Sequence, residues 1–158
     1  MSTFSIPYGK GELSFGLPDG VEAEVVAPPD VPAASDPVGA VEAALTTSVG
    51  SVALANFRDA RSVAIAINDK TRPVPHQHLL PPLLRRLEEL GLPPEAITLI
   101  IATGTHSPMP PEEYPRVVPR EILARYPVLC HDADDRENLA PLGMTSRGTP
   151  AKPATCSP

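Results

Sequence analysis

The 158-residue sequence contains no tryptophan and only three phenylalanines and three tyrosines. Any core it builds must draw its volume from Leu, Val, Ile and Ala. Two cysteines, Cys130 and Cys156, are too few for a disulfide framework or a cysteine-based zinc site. Basic residues are outnumbered, 13 Lys and Arg against 19 Asp and Glu, for a formal net charge of −6. That balance argues against nonspecific binding to nucleic acid or to an anionic membrane, since both need a basic face. No apolar run approaches the roughly 20 residues of a membrane span. The first residues lack the charged-then-apolar layout of a signal peptide. A cytoplasmic protein of about one domain is the expectation.

Proline, by contrast, is abundant, with 22 residues where a share of about 5% is usual. The prolines flank apolar runs and read as punctuation between elements. Gly11–Pro18 and Val21–Pro28 are short, partly alternating runs separated by Asp19-Gly20, which predicts an N-terminal β-hairpin. After a Pro/Ala/Ser connector, Asp36 is placed to cap a helix that has Pro37 in its first turn. Gly50–Ala60 predicts a second short helix, capped by Ser51.

From Ser62 the pattern changes. "SVAIAI" (Ser62–Ile67) is a continuous apolar run, the signature of a strand buried on both faces. Leu79, Leu80, Leu83, Leu84, Leu87 and Leu90 then recur at helical spacing and stop at Gly91. Pro81-Pro82 lies inside that pattern, so a regular helix is expected only from about Pro81. "AITLIIATG" (Ala96–Gly104) predicts a second buried strand and "PVLCHDA" (Pro127–Ala133) a third. Between them lies a helical region, Pro110–Tyr126, broken by Pro115 and Pro119. Strand, helix, strand, helix, strand is the sequence form of an α/β fold with a Rossmann-like parallel sheet. Residues 1–150 are expected to form this domain, and 151–158 a disordered Pro-rich tail.

In such sheets ligands bind beyond the carboxyl ends of the strands. Three polar clusters follow the strands here, "NDKTRP", "ATGTHSP" and "CHDADD", and are expected along one rim. If a helix starts just after the first strand, Asp69, Thr71 and Arg72 lie at its N-terminus, where an anion is favoured. Arg72 offers a forked donor for carboxylate or phosphate. Asp69 can accept from a ribose hydroxyl or hold Arg72 in place. His106 stands just past Gly104, either as an exposed loop residue or as a general acid/base suited to proton transfer near neutrality. No Walker or G-x-G-x-x-G fingerprint is present. His76, His78, His106 and His131 match no known metal-ligand spacing.

Together, "VAIAINDKTRPVP", "LLPPLLRRLEELG", "TLIIATGTHSP", "HDADD" and "LGMTSRGTP" resemble the N-terminal part of the nickel-dependent lactate racemase family, over roughly Ile6 to Pro150. The resemblance implies a nickel pincer nucleotide as cofactor and a 2-hydroxy acid as substrate. In that chemistry a His takes the 2-hydroxyl proton while the C2 hydrogen leaves as hydride, and the planar 2-keto acid is reduced again on either face. It implies cofactor binding for Asp69, Lys70, Thr71 and Arg72, and an acid/base role for His106. Two departures are visible. Ser107 follows His106 where the family often has Arg, and no residue matches the family's second catalytic His, cofactor-attaching Lys or nickel-binding His. The chain is thus expected to carry half of an active site. It is either a shortened racemase, a piece completed by a second polypeptide or by self-association, or a non-catalytic module for a phosphorylated or carboxylated small molecule. A sheet edge left unpaired would make the isolated chain marginal or self-associating.

Overall fold

The computed structural model describes residues 3–47, 49, 50 and 52–151. The expected cap at Ser51 and the tail beyond Ala151 lie outside them. The chain divides into two compact units, Met1–Ala33 and Ala34–Pro158.

The first unit is built on an antiparallel hairpin, β1 (Thr3–Tyr8) with β2 (Gly11–Gly16). A hairpin is present as expected, but it lies upstream of the predicted one and turns at Gly9-Lys10. Gly9 takes φ +60°, a left-handed value that suits the first position of a tight hairpin turn. The paired runs match on one face, with Phe4 opposite Phe15 and Ile6 opposite Leu13, and the two phenyl rings stack at 6.0 Å. Asp19-Gly20 does turn the chain, but residues 21–33 form no strand. Pro28, Pro29 and Pro32 remove the N–H donors that a ladder would need there.

The second unit holds a parallel sheet in the order β3-β4-β5, comprising Val63–Asn68, Ile97–Ala102 and Val128–Cys130. The register sets Val63 beside Ile97, Asn68 beside Ala102 and Ile101 beside Cys130. Helix α1 (Pro37–Thr46) begins as the sequence predicts, with the Asp36 carboxylate accepting from the Gly39 N–H at 2.9 Å. Gly50–Ala60 yields only a 3₁₀ turn, Leu54–Phe57.

Helix α2 (His76–Glu89) starts five residues before the expected regular helix and contains both prolines. The carbonyls of Gln77 and His78 forgo their intrahelical donors as a result. Pro82 is among the most deeply buried side chains of the protein, and this packing offsets the lost bonds. Between β4 and β5 the prolines at 115 and 119 leave a 3₁₀ segment (Pro111–Arg116) and a short helix, α3 (Arg120–Leu123).

A single cluster forms the core: Leu80, Leu84 and Leu87 of α2, Ile97, Leu99 and Ile101 of β4, and Val118, Ile122 and Tyr126 around α3. At its edge the Met109 N–H donates to Cys130 Sγ at 3.2 Å. Every segment joining the strands packs into this one cluster, so among the described residues the strands are packed against the core on one face and at most half-covered on the other, not buried on both as expected. Ala64, Ala66, Asn68 and Ala102 are exposed on the other face, and Thr98, Ile100 and Leu129 are half-covered. Beyond the sheet, β6 (Gly143–Met144) pairs with β7 (Pro150–Ala151). Among the described residues no helix is long and apolar enough to cross a membrane.

Leu84 sits between α2 and the sheet with 2% of its surface exposed. Leu84→Ala is expected to cost about 3 kcal/mol, lost apolar transfer plus a residual cavity, read as a lower denaturation midpoint with an unchanged slope.

Candidate active site

The strand β3 delivers Asp69-Lys70-Thr71-Arg72 into a turn and not onto a helix end. Arg72 and Val74 each precede a proline and are steered away from helical backbone, so α2 cannot begin before Pro75. The expected helix N-terminus is therefore not beneath these residues. The loop is organised instead by Asp69, which is 5% exposed. Its Oδ1 accepts from the Thr71 N–H at 3.0 Å and from the Thr71 hydroxyl at 2.6 Å.

The other Asp69 oxygen, Oδ2, meets His106 Nδ1 at 2.8 Å. The chain leaves β4 through Thr103 and turns at Gly104, whose φ of +62° is a left-handed value. The turn closes with the His106 N–H donating to the Thr103 carbonyl at 3.1 Å. Adjacent parallel strands thus present a carboxylate and an imidazole to each other. A carboxylate only accepts, so Nδ1 carries a hydrogen, and in the neutral ring Nε2 is the nitrogen left as acceptor. The imidazole side chain is 51% exposed. Hydrogen bonds from Thr71, then from His106, hold the Asp69 carboxyl down at about 2, against the opposing effect of burial.

The two cations of the loop separate. Lys70 pairs with Glu113, which also binds Arg116; the bond from Lys70 holds the Glu113 carboxyl below its usual value. Arg72 has no carboxylate partner among the described residues, and Asp69 pairs with His106 and not with Arg72. Arg72 lines a cavity of about 350 Å³ together with Asn68, Asp69, Ala102, Thr103 and His106. A cavity of about 440 Å³ between α1 and α2 is larger, but its charged groups, Arg86 and Glu89, satisfy each other.

The four histidines do not gather. His76 is buried and donates from Nδ1 to the Val117 carbonyl at 2.8 Å, tying α2 to the segment before α3. His131 is held at the end of β5 by Thr103, whose hydroxyl donates to the His131 carbonyl at 2.8 Å. Among the described residues no three His, Cys, Asp or Glu come together as a metal site. Sequence reasoning placed the clusters on one rim but missed the Asp69–His106 bond, the buried Thr103 and the Lys70–Glu113 tie. The available signal was an Asp and a His just past adjacent parallel strands.

Comparison with known proteins decides the lineage of this rim. Residues 8–154 match the model of the lactate racemase N-terminal domain. The chain belongs to that family. The lactate racemase of Thermoanaerobacterium thermosaccharolyticum is 27% identical over 153 residues, which is 94% of this chain and 35% of the relative. That of Lactiplantibacillus plantarum is 31% identical over 109 residues, 68% of this chain and 26% of the relative. The solved lactate racemase apoprotein from T. thermosaccharolyticum superposes with a TM-score of 0.74 at 25% identity, over 97% of this chain and 36% of the other. The region of this lactate racemase N-terminal domain homologue that aligns thus spans between about a quarter and about a third of the length of its curated relatives.

Asp69 has a folded value below its unfolded one, 3.8, so its stabilising bonds are complete at neutral pH. They are lost as pH falls from about 4 toward 2. The stability difference between the native chain and Asp69→Asn, measured by thermal unfolding, is expected to be largest above pH 5 and to shrink below pH 4.

Proposed function

We propose that this chain supplies the cofactor-binding rim and one acid/base of a nickel-pincer-nucleotide-dependent racemase or epimerase of 2-hydroxy acids. The observation that carries the reading is the Asp69–His106 bond at 2.8 Å, in a cavity that is also lined by Arg72, which has no carboxylate partner among the described residues. Membership of the lactate racemase N-terminal domain family supports it.

The rim fits the anionic part of such a cofactor. Arg72 can grip a phosphate or carboxylate with two parallel N–H bonds, and Gly104 lets the backbone come close. No group of the described residues fits the nickel end, which leaves its ligands to further polypeptide. When bound, the cofactor supplies the acceptor for the C2 hydride. The residues of this chain handle the proton. His106 Nε2 takes it from the substrate 2-hydroxyl as that oxygen becomes a carbonyl, and returns it when the 2-keto acid is reduced. Asp69 stabilises the imidazolium formed in between and fixes the ring so that Nε2 faces outward. Thr71 locks Asp69 by two bonds, and Lys70 anchors the loop through Glu113. Of the four loop residues, Arg72 alone thus meets the cofactor's anion directly. The reading carries with it a cytoplasmic location and no role for nucleic acid or membrane.

A second reading, a non-catalytic module for a phosphorylated or carboxylated small molecule, draws on the same Arg72. Calorimetric titration with the nickel pincer nucleotide, and separately with a plain pyridine mononucleotide, tells them apart. The cofactor is expected to bind saturably. Arg72→Ala should lose about 1.5–3 kcal/mol of binding, as for hydrogen bonds to a charged group, and His106→Ala should leave affinity nearly unchanged. Equal affinity for both nucleotides favours the module. No binding by a folded chain sinks both.

A further inference from the structure

We infer that His131 is a second ligand-binding imidazole of the rim, held by Thr103 so that its Nε2 accepts from a ribose hydroxyl of a nucleotide whose phosphate meets Arg72. The inference rests on the functional reading for the anion at Arg72 and adds the sugar subsite beside it.

The hydrogen bonds of Thr103 decide which ring nitrogen is available. Thr103 is 3% exposed, and its hydroxyl has a single hydrogen, which goes to the His131 carbonyl at 2.8 Å. The same oxygen lies 3.1 Å from His131 Nδ1 and has only lone pairs left to offer. Nδ1 is therefore the donor, and in the neutral ring Nε2 is the acceptor. The two nitrogens lie on different edges of the ring, so fixing Nδ1 on Thr103 turns Nε2 away from it. His131 is half-buried, and Nε2 has no partner among the described residues. No buried side-chain nitrogen or oxygen among them is left unpaired, so Nε2 stands open to solvent.

Placement ties this acceptor to the cavity already described. The ladder between β4 and β5 runs one step beyond Cys130, with the His131 N–H donating to the Ile101 carbonyl at 3.0 Å. That step sets His131 beside Ala102. Ala102 and Thr103 both line the cavity of Arg72 and His106, so the imidazole borders that cavity on its β5 side. Arg72 follows β3 and His131 follows β5, two strand spacings or about 10 Å apart across β4. A ribose phosphate and two long side chains together bridge such a span. The sequence offered Asp69 as the acceptor for a ribose hydroxyl, but Thr71 engages its Oδ1 and His106 its Oδ2. With Asp69 committed, His131 takes over that task, and Thr103 is its positioning residue.

The test uses the full chain with 15N-labelled histidine, at about pH 8.5, where ordinary imidazole is neutral. Long-range proton–nitrogen spectra of the free chain should show His131 with its hydrogen on Nδ1. Thr103→Val should abolish that preference and Thr103→Ser should keep it. A mixed tautomer in the native chain, or loss in both variants, overturns the inference. Nicotinamide mononucleotide is then titrated, with inorganic phosphate as control. The mononucleotide should shift the His131 Nε2 resonance and phosphate should not. His131→Phe should weaken the mononucleotide about fivefold, the weight of one hydrogen bond, and leave phosphate affinity unchanged. The 2′,3′-dideoxy mononucleotide should bind the native chain about as weakly, with no further loss in His131→Phe. Mononucleotide binding that Arg72→Ala removes and His131→Phe leaves intact overturns this inference and spares the functional reading. No binding of either ligand, by a chain that circular dichroism shows to be folded, sinks both. Should His131→Phe fail to fold, Thr103→Val serves in the same comparison and should weaken the mononucleotide but not phosphate; equal affinities there overturn the inference.

Discussion

Because β3 and β4 run parallel with Asn68 beside Ala102, the residues just beyond them leave the sheet at the same height. Asp69 follows at once, and His106 arrives after a turn through Gly104. A slip of one residue would send each strand's inward side chains outward and would part the carboxylate from the imidazole. The register is held by the core, since Ile67, Ile97, Leu99 and Ile101 must all face α2 for the apolar cluster to close. Packing beneath the sheet and chemistry above its rim are thus fixed by one alignment.

Much of the fold could be read from hydrophobic period and from proline. Asp36 and Pro37 marked the start of α1, and the leucine spacing through Leu87 marked the buried side of α2. Proline misled where its effect depended on context. Pro81 and Pro82 fell within a helix because Pro82 reaches the core, and tertiary packing outweighs a local penalty. The hairpin was assigned to the stronger turn dipeptide, Asp19-Gly20. The true pairing needed two runs with matching apolar faces, and those flank Gly9-Lys10. The strands looked buried on both sides because alanine counts as apolar, yet Ala64 and Ala66 face outward.

The rim was legible as a place and less so as a set of bonds. The order of the apolar runs predicts that Asp69, Arg72 and His106 follow strands. It could not show that Asp69 would spend both oxygens on Thr71 and His106, because that depends on strand order and on the Gly104 turn. Nor could it separate Lys70 from Arg72: their division of labour comes from Glu113, 43 residues from Lys70 in sequence. Long-range partners of this kind are invisible to a reading that moves along the chain.

Cys130 ends the third strand of the same sheet, with its sulfur accepting from the Met109 N–H. Burial pushes its thiol up from the usual value, and only the thiolate attacks electrophiles. The half-buried side chain packs against the apolar cluster at the β5 edge, so that at a given pH less of it stands as thiolate than of a fully exposed cysteine.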